Sequence, residues 1–380
     1  MPIAVAFHTL SSVIWVSGMF FAVYVLRLAA AEMSGPDRLA LWGRVFGKFF
    51  PRVWTAILLL LATGYWMIVF KLGGFAQGGN GLCFNCQLIL RDLQAMPTNE
   101  TDSEALVSTD WLDKNMHHEK VRVVDATWYL PTQGKEGREE YNNDHIPGAV
   151  FWDIDFIADQ LDPLPHMLPD EATFAGRMEG LGIGDDTFVV VYDAHGLMTA
   201  ARAWWMLRAM GHDDVAVLNG GLPKWRAEDK PVNAVPPVHR DTSFTAKLRP
   251  ELVCNREQVQ ANIESGAAQT VDARSAERYS GAEPEPREGM RSGHIPKSLN
   301  LPFNHLLNSG DRTVQDVDAL RKLVIDSGID PAGPVIASCG SGVTACVVAL
   351  GLHLLGNKNV SVYDGLWSEW GQPGDLPIET

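Results

Sequence analysis

Two stretches decide the fold: Phe188–Gly211, "FVVVYDAHGLMTAARAWWMLRAMG", and Pro334–Gly356, "PVIASCGSGVTACVVALGLHLLG". In each, a short apolar run stops at one hydrophilic or sulfur-bearing residue, Asp193 in the first and Cys339 in the second. A glycine-containing turn follows, and apolar residues then recur at helical spacing. A strand that stops, a tight loop and a helix that starts set the loop at a helix N-terminus, where backbone N–H groups face it. Such a loop can hold an anion or a thiolate. An ordinary buried turn has the same sequence pattern.

Working outward, the two stretches belong to a longer repeat. "VRVVDATWYL" from Val121 matches "AQTVDARSAERY" from Ala268, and "HIPGAVFWDID" from His145 matches "HIPKSLNLPF" from His294. "VAVLNGGLPKW" from Val215 matches "VSVYDGLWSEW" from Val360. Trp225 follows Asp193 by 32 residues and Trp370 follows Cys339 by 31. Four blocks in matching order and spacing indicate tandem duplicated domains. Strand-like runs alternate with helical patterns within each, which predicts α/β domains built on a parallel sheet flanked by helices. The boundaries read as 105–230 and 253–380, joined by the Pro-rich, aperiodic stretch 231–252. The second domain carries the cysteine; the first, with Asp193 in its place, reads as catalytically inactive.

The totals narrow the function classes. A chain of 380 residues has room for two or three domains. A formal charge of −15 without a basic block excludes nucleic acid as a partner. Five scattered cysteines are too few for a disulfide scaffold. Cys83 and Cys86 form one C-x-x-C without a second pair and read as linker thiols.

Residues 1–75 differ in composition from the rest. Pro2–Leu26 holds no Asp, Glu, Lys or Arg, only His8, and Val53–Phe70 holds no charged residue. Each approaches the roughly 20 apolar residues that cross a bilayer, so a transmembrane helical hairpin is expected, followed by a linker over 76–104. Arg27, Arg38, Arg44, Lys48 and Arg52 outweigh Glu32 and Asp37 in the loop between them. The positive-inside rule then puts that loop in the cytoplasm and both chain ends outside it. "HTLSSVIWVSGMFF" (8–21), "LALWGRVFGKFFP" (39–51) and "GYWMIVF" (64–70) resemble small bacterial integral membrane proteins of the copper-resistance D type. That resemblance implies a lipid bilayer as partner and a cell-membrane location. It also keeps open a copper- or haem-handling protein with an accessory sulfur-carrying domain. With no histidine in the second span, His8 reads as interfacial. Translation from Met96 instead gives a cytoplasmic protein without the spans.

Cys339–Thr344 reads C-G-S-G-V-T. Gly340 and Gly342 free the backbone to turn several N–H groups on one point, a nest that with the helix dipole stabilises a thiolate. A cysteine phosphatase needs arginine at the end of C-x5-R, where Ala345 stands, so sulfur transfer through a persulfide is the better match. Cys346 lies on the helical pattern and reads as core.

The repeat, the inactive first copy and "CGSGVT" together resemble the two-domain rhodanese-type sulfurtransferases, above all the branch that uses 3-mercaptopyruvate. The resemblance covers 105–380 and implies Cys339 as the persulfide-forming nucleophile. It implies Arg278 and Arg287 as the grip on the substrate carboxylate and keto group, with Gly340, Gly342, Val343 and Thr344 shaping the cradle. It also implies a relay of Asp155, His166 and Ser341, reaching from the first domain to the loop. The two "HIP" histidines, His145 and His294, occur in both domains and are assigned to the fold. A loop without charge favours mercaptopyruvate over the dianion thiosulfate, the nearest alternative donor. Acceptors are thioredoxin, a small thiol or cyanide, and no cofactor or metal is implied. Reducing acceptors place the enzyme in the cytoplasm, against the side given by the charge rule.

Overall fold

Repetition in the sequence becomes repetition in the sheet. The computed structural model describes residues 105–380; the expected membrane hairpin and linker of 1–104 lie outside the described residues. Among the described residues no helix is long and apolar enough to cross a membrane. The first domain contains β1 (Leu106–Val107), β2 (Val121–Asp125), β3 (Val150–Phe151), β4 (Phe188–Tyr192) and β5 (Val215–Leu218), in the order β1-β5-β4-β2-β3. The second contains β6 (Val253–Cys254), β7 (Gln269–Asp272), β8 (Leu299–Asn300), β9 (Val335–Ser338) and β10 (Val360–Tyr363), in the order β6-β10-β9-β7-β8. Every pairing in both sheets is parallel, with Ser338 at the end of β9 level with Asp272 of β7. Strands such as VRVVD and VAVL are buried along their whole length, as sheets covered on both faces must be.

The central strand of each sheet, β4 or β9, runs into the loop at Asp193 or Cys339. Open parallel sheets place ligands beyond the carboxyl ends of such strands. The helices that follow, Ala200–Ala209 and Ala345–Leu354, are buried nearly throughout. Each covers its own sheet on one side and packs against the other helix on its far side. Their composition, apolar except for Arg202, Arg208 and His353, suits a position with little solvent face. One hydrophobic core runs through this seam, joining Trp204, Trp205 and Met206 to Val347, Val348 and Leu350. Removing a large side chain of this kind from water contributes about 1.5–3 kcal/mol. The seam therefore unites the two repeats.

The paired "HIP" histidines have equivalent structural contacts. His145 stacks on Tyr141 with ring centroids 4.2 Å apart, and His294 on Tyr279 at 3.7 Å. Their Nδ1 atoms lie 2.7 and 2.8 Å from the carbonyls of those same tyrosines. Both bind their domain's core to a chain segment beyond it, at Asn233 and Glu379.

Candidate active site

Cys339 begins the loop, only 1% exposed, at the base of a pocket of about 100 Å³. That is small beside the roughly 300–1,000 Å³ of a drug-sized ligand pocket. Arg278, Arg287, Ser341, Val343 and Thr344 line it, with Trp128, Met198 and Trp367.

The loop's hydrogen bonds explain its chemistry. The carbonyl of Cys339 accepts from Trp367 N at 3.0 Å. The carbonyl of Gly340 accepts from Ser368 N at 3.0 Å and Ser368 Oγ at 2.8 Å. His166 Nδ1 donates to Ser341 O at 2.7 Å, and Cys346 Sγ to Gly342 O at 3.2 Å. In a planar trans peptide the C=O of one residue and the N–H of the next point in opposite directions. Four carbonyls drawn outwards therefore turn the N–H groups of Gly340, Ser341, Gly342 and Val343 inwards. Among the described residues, none of those four donors has an acceptor in the protein. Inward N–H groups without acceptors form an anion nest.

The glycines are required here. Gly342 has φ +86°, and a Cβ on it would stand 2.8 Å from Arg202 Nη1 and 2.9 Å from Leu366 Cδ1. A Cβ on Gly340 would stand 2.9 Å from Arg278 Nη2. Arg278 thus lies directly against the loop. Its guanidinium pairs with Glu285, whose buried carboxylate also takes Arg274 Nη1 at 2.7 Å. Arg274 is in turn locked to Asp272 at the end of β7. The alternative role of Arg278, an ion pair with Glu285, is therefore present as well, and it aims the side chain. Arg287 Nη1 donates to Ser368 Oγ at 2.8 Å. Burial draws its guanidinium below its ordinary pKa, opposed by the charges of Cys339 and Asp155 close by.

Asp155 and His166 come together across their eleven-residue gap, with His166 Nε2 3.1 Å from Asp155 Oδ1. Their connection to the loop differs from the expected relay: His166 meets the carbonyl of Ser341, while Ser341 lines the pocket and its hydroxyl has no hydrogen bond among the described residues. The reason is the peptide orientation that aims the Gly342 amide inwards, which turns the Ser341 carbonyl to the first domain. His166 is buried, with φ +61°, a backbone conformation unusual for a side chain of its size. Trp128 crosses its ring edge-on at 4.9 Å and donates to Asp155 Oδ2 at 2.9 Å. Both ring nitrogens of His166 have oxygen partners, Nδ1 the Ser341 carbonyl and Nε2 the Asp155 carboxylate. The His166 hydrogen bond, chiefly, holds the Asp155 carboxyl below its usual pKa.

Cys346 is fully buried, and burial pushes its thiol up to about 12, as befits a core residue. Among the described residues no cluster of His, Cys, Asp and Glu is placed to hold a metal. Sequence reading missed Trp128, Arg202, Trp367 and Ser368. Trp128 stands in "VRVVDATWYL", just past the end of β2, and its place at the sheet's carboxyl edge was the available signal.

Residues 108–228 and 255–373 match the rhodanese-like domain family. The chain is 42% identical over 299 residues to the mitochondrial thiosulfate/3-mercaptopyruvate sulfurtransferase 1 of Arabidopsis thaliana, covering 73% of this chain and 79% of that one. It is 42% identical over 284 residues to the 3-mercaptopyruvate sulfurtransferase of Homo sapiens, covering 72% and 95%. The crystal structure of SseA from Escherichia coli, a 3-mercaptopyruvate sulfotransferase, superposes with a TM-score of 0.64 at 39% identity, covering 70% of this chain and 99% of that one.

Proposed function

The chain belongs to the rhodanese-like family of two-domain sulfurtransferases, and we propose that it moves sulfur from 3-mercaptopyruvate to a thiol or cyanide through a persulfide on Cys339. The observation that carries this reading is the set of four inward amides without acceptors around one buried sulfur, beside two arginines. Arg278 and Arg287 seat the carboxylate and keto oxygen, for which planar guanidinium donors are suited. The Cys339 thiolate attacks the donor sulfur. An S–S bond forms as the C–S bond breaks, and the electron pair leaves on the enolate of pyruvate. That enolate takes a proton and departs as pyruvate. An acceptor thiolate, or cyanide, then attacks the outer sulfur and restores the Cys339 thiolate. The amides hold the negative charge on sulfur in each state without a charged side chain in the loop. In this reading the Ser341 hydroxyl passes the proton, and the His166–Asp155 pair holds the loop at that residue. Thiosulfate is the second donor reading, favoured by the double name of the Arabidopsis thaliana relative.

The test uses the purified full chain. Pyruvate release from 3-mercaptopyruvate is expected, with kcat/KM above that for thiosulfate. Cys339→Ser should lose roughly 10⁴-fold or more. After donor alone, the Cys339 peptide should gain the mass of one sulfur atom. An unmodified Cys339, or activity kept by the serine variant, ends the assignment; a higher kcat/KM for thiosulfate reverses the donor choice alone.

A further inference from the structure

The second domain by itself holds the carbonyls of Cys339 and Gly340, through Trp367 and Ser368, and its Cys346 thiol donates to that of Gly342 at 3.2 Å. Two of the loop's four outward carbonyls, those of Ser341 and Gly342, also meet the first domain. His166 takes the former; the latter points at Arg202, the third residue of the helix Ala200–Ala209.

Arg202 is 0% exposed and has an unusual set of partners. Its Nη2 donates to the carbonyl of His166 and, at 3.0 Å, to Asp364 Oδ1, just beyond β10. Its Nη1 lies 3.4 Å from the carbonyl of Gly342, and its plane stacks on Trp205 at 4.4 Å. The other oxygen of Asp364 accepts from Leu168 N at 2.8 Å. One ion pair between the domains therefore grips the His166–Leu168 segment at both ends and touches the cysteine loop at Gly342. Gly342 lacks a side chain at the point where that guanidinium sits. A buried arginine whose contacts are mainly to backbone carbonyls sets the chain path; an apolar residue could fill the space but could not direct the carbonyls.

We propose that Arg202 is a positioning residue for sulfur transfer, by which the inactive first domain fixes the inward amides of Gly342 and Val343 and the seat of His166. The inference rests on the persulfide reading of Cys339. Its consequence is a split in kinetics. Arg278 and Arg287, which seat the donor, belong to the second domain, and among the described residues neither shares a hydrogen-bond or ion-pair partner with Arg202. Loss of Arg202 therefore affects the chemical step and leaves donor binding nearly unchanged.

Two variants test this in the full chain. Arg202→Lys keeps the charge but not the fork, and should lower kcat roughly 10- to 100-fold with KM for 3-mercaptopyruvate within about threefold. Arg202→Met combined with Asp364→Leu replaces the buried pair by apolar groups, an exchange that often leaves stability unharmed. It should melt near the parent temperature yet show the same loss in kcat, with slower alkylation of Cys339 by iodoacetamide at fixed pH. Parent kcat and alkylation rate in either folded variant overturn the proposal, as does a loss confined to KM. Should the double variant fail to fold, the lysine variant decides alone. If the parent protein itself forms no persulfide, the fault lies with the function proposed above and not with Arg202.

Discussion

The loops after β4 and β9 leave equivalent strands and enter equivalent helices, yet the chain fills one of them and leaves the other open. In the first domain Asp193 Oδ2 accepts from Thr199 N at 2.6 Å and from Ala200 N at 2.8 Å, while Oδ1 accepts from His195 N at 2.8 Å. The carbonyl of Asp193 accepts from Leu222 N, as that of Cys339 does from Trp367 N. The architecture is shared, and the occupant of the nest differs. The built-in carboxylate takes three of the first loop's amides and Thr127 Oγ1 takes that of Ala194, so side chains of the domain itself occupy the place of a ligand there. Cys339 puts a polarisable nucleophile at the same place and leaves its neighbouring amides free. A nest is thus a neutral structural device, and the residue at its mouth decides between a cap and a reaction centre.

The strongest way to break this comparison is to make the second loop like the first. Cys339→Asp should abolish pyruvate release altogether. If its carboxylate folds back on the free amides, it should also raise Tm by about 2–4 °C, the equivalent of about one cap. A lowered Tm would separate the two nests. Next comes removal of the built-in anion. Asp193→Ala leaves three amides without acceptors and should cost about 1–2 kcal/mol in denaturant unfolding, with kcat changed less than threefold. Loss of activity greater than the loss of stability would show that the first loop takes part in the chemistry.

The smallest effect sharpens the comparison at the far ends of the paired helices. There Arg208 and His353 occupy equivalent positions and meet, Arg208 Nη1 lying 3.4 Å from His353 Nδ1. Burial first, then Arg208 and Lys358, lowers the His353 pKa from 6.5 to about 4. The folded state therefore prefers the neutral ring. This contribution to stability is complete above 6.5 and declines as pH falls towards about 4, because the unfolded chain binds the proton first. His353→Gln should flatten the pH dependence of Tm across that window; an unaltered slope there would show that the ring is free to charge.

Much of this was legible in the sequence because duplication wrote it twice. The pairing of Asp193 with Cys339, and of His145 with His294, separated chemistry from scaffold before any coordinates. Arg278, Arg287, Asp155 and His166 were found through the family pattern, and the structure sets Arg278 and Arg287 against the cysteine loop and His166 on the Ser341 carbonyl. The contribution of Arg202 was invisible. It reads as one of two arginines in a helix otherwise suited to the core, and its partners lie 36, 140 and 162 residues away. The role of Ser341 was half legible: its place in the loop was clear, but which of its two oxygens meets His166 depends on the rotation of one peptide plane.

The order of apolar runs, glycines and one cysteine determined by itself that two α/β units would form and that only the second could carry a nucleophile. Those properties follow from local periodicity and side-chain chemistry, which every segment carries wherever it is placed. The direction of the loop's amides was decided only in three dimensions. It depends on which donors surround each peptide, and two of them, His166 and Arg202, come from the other domain, across a seam that exists only once both cores have packed.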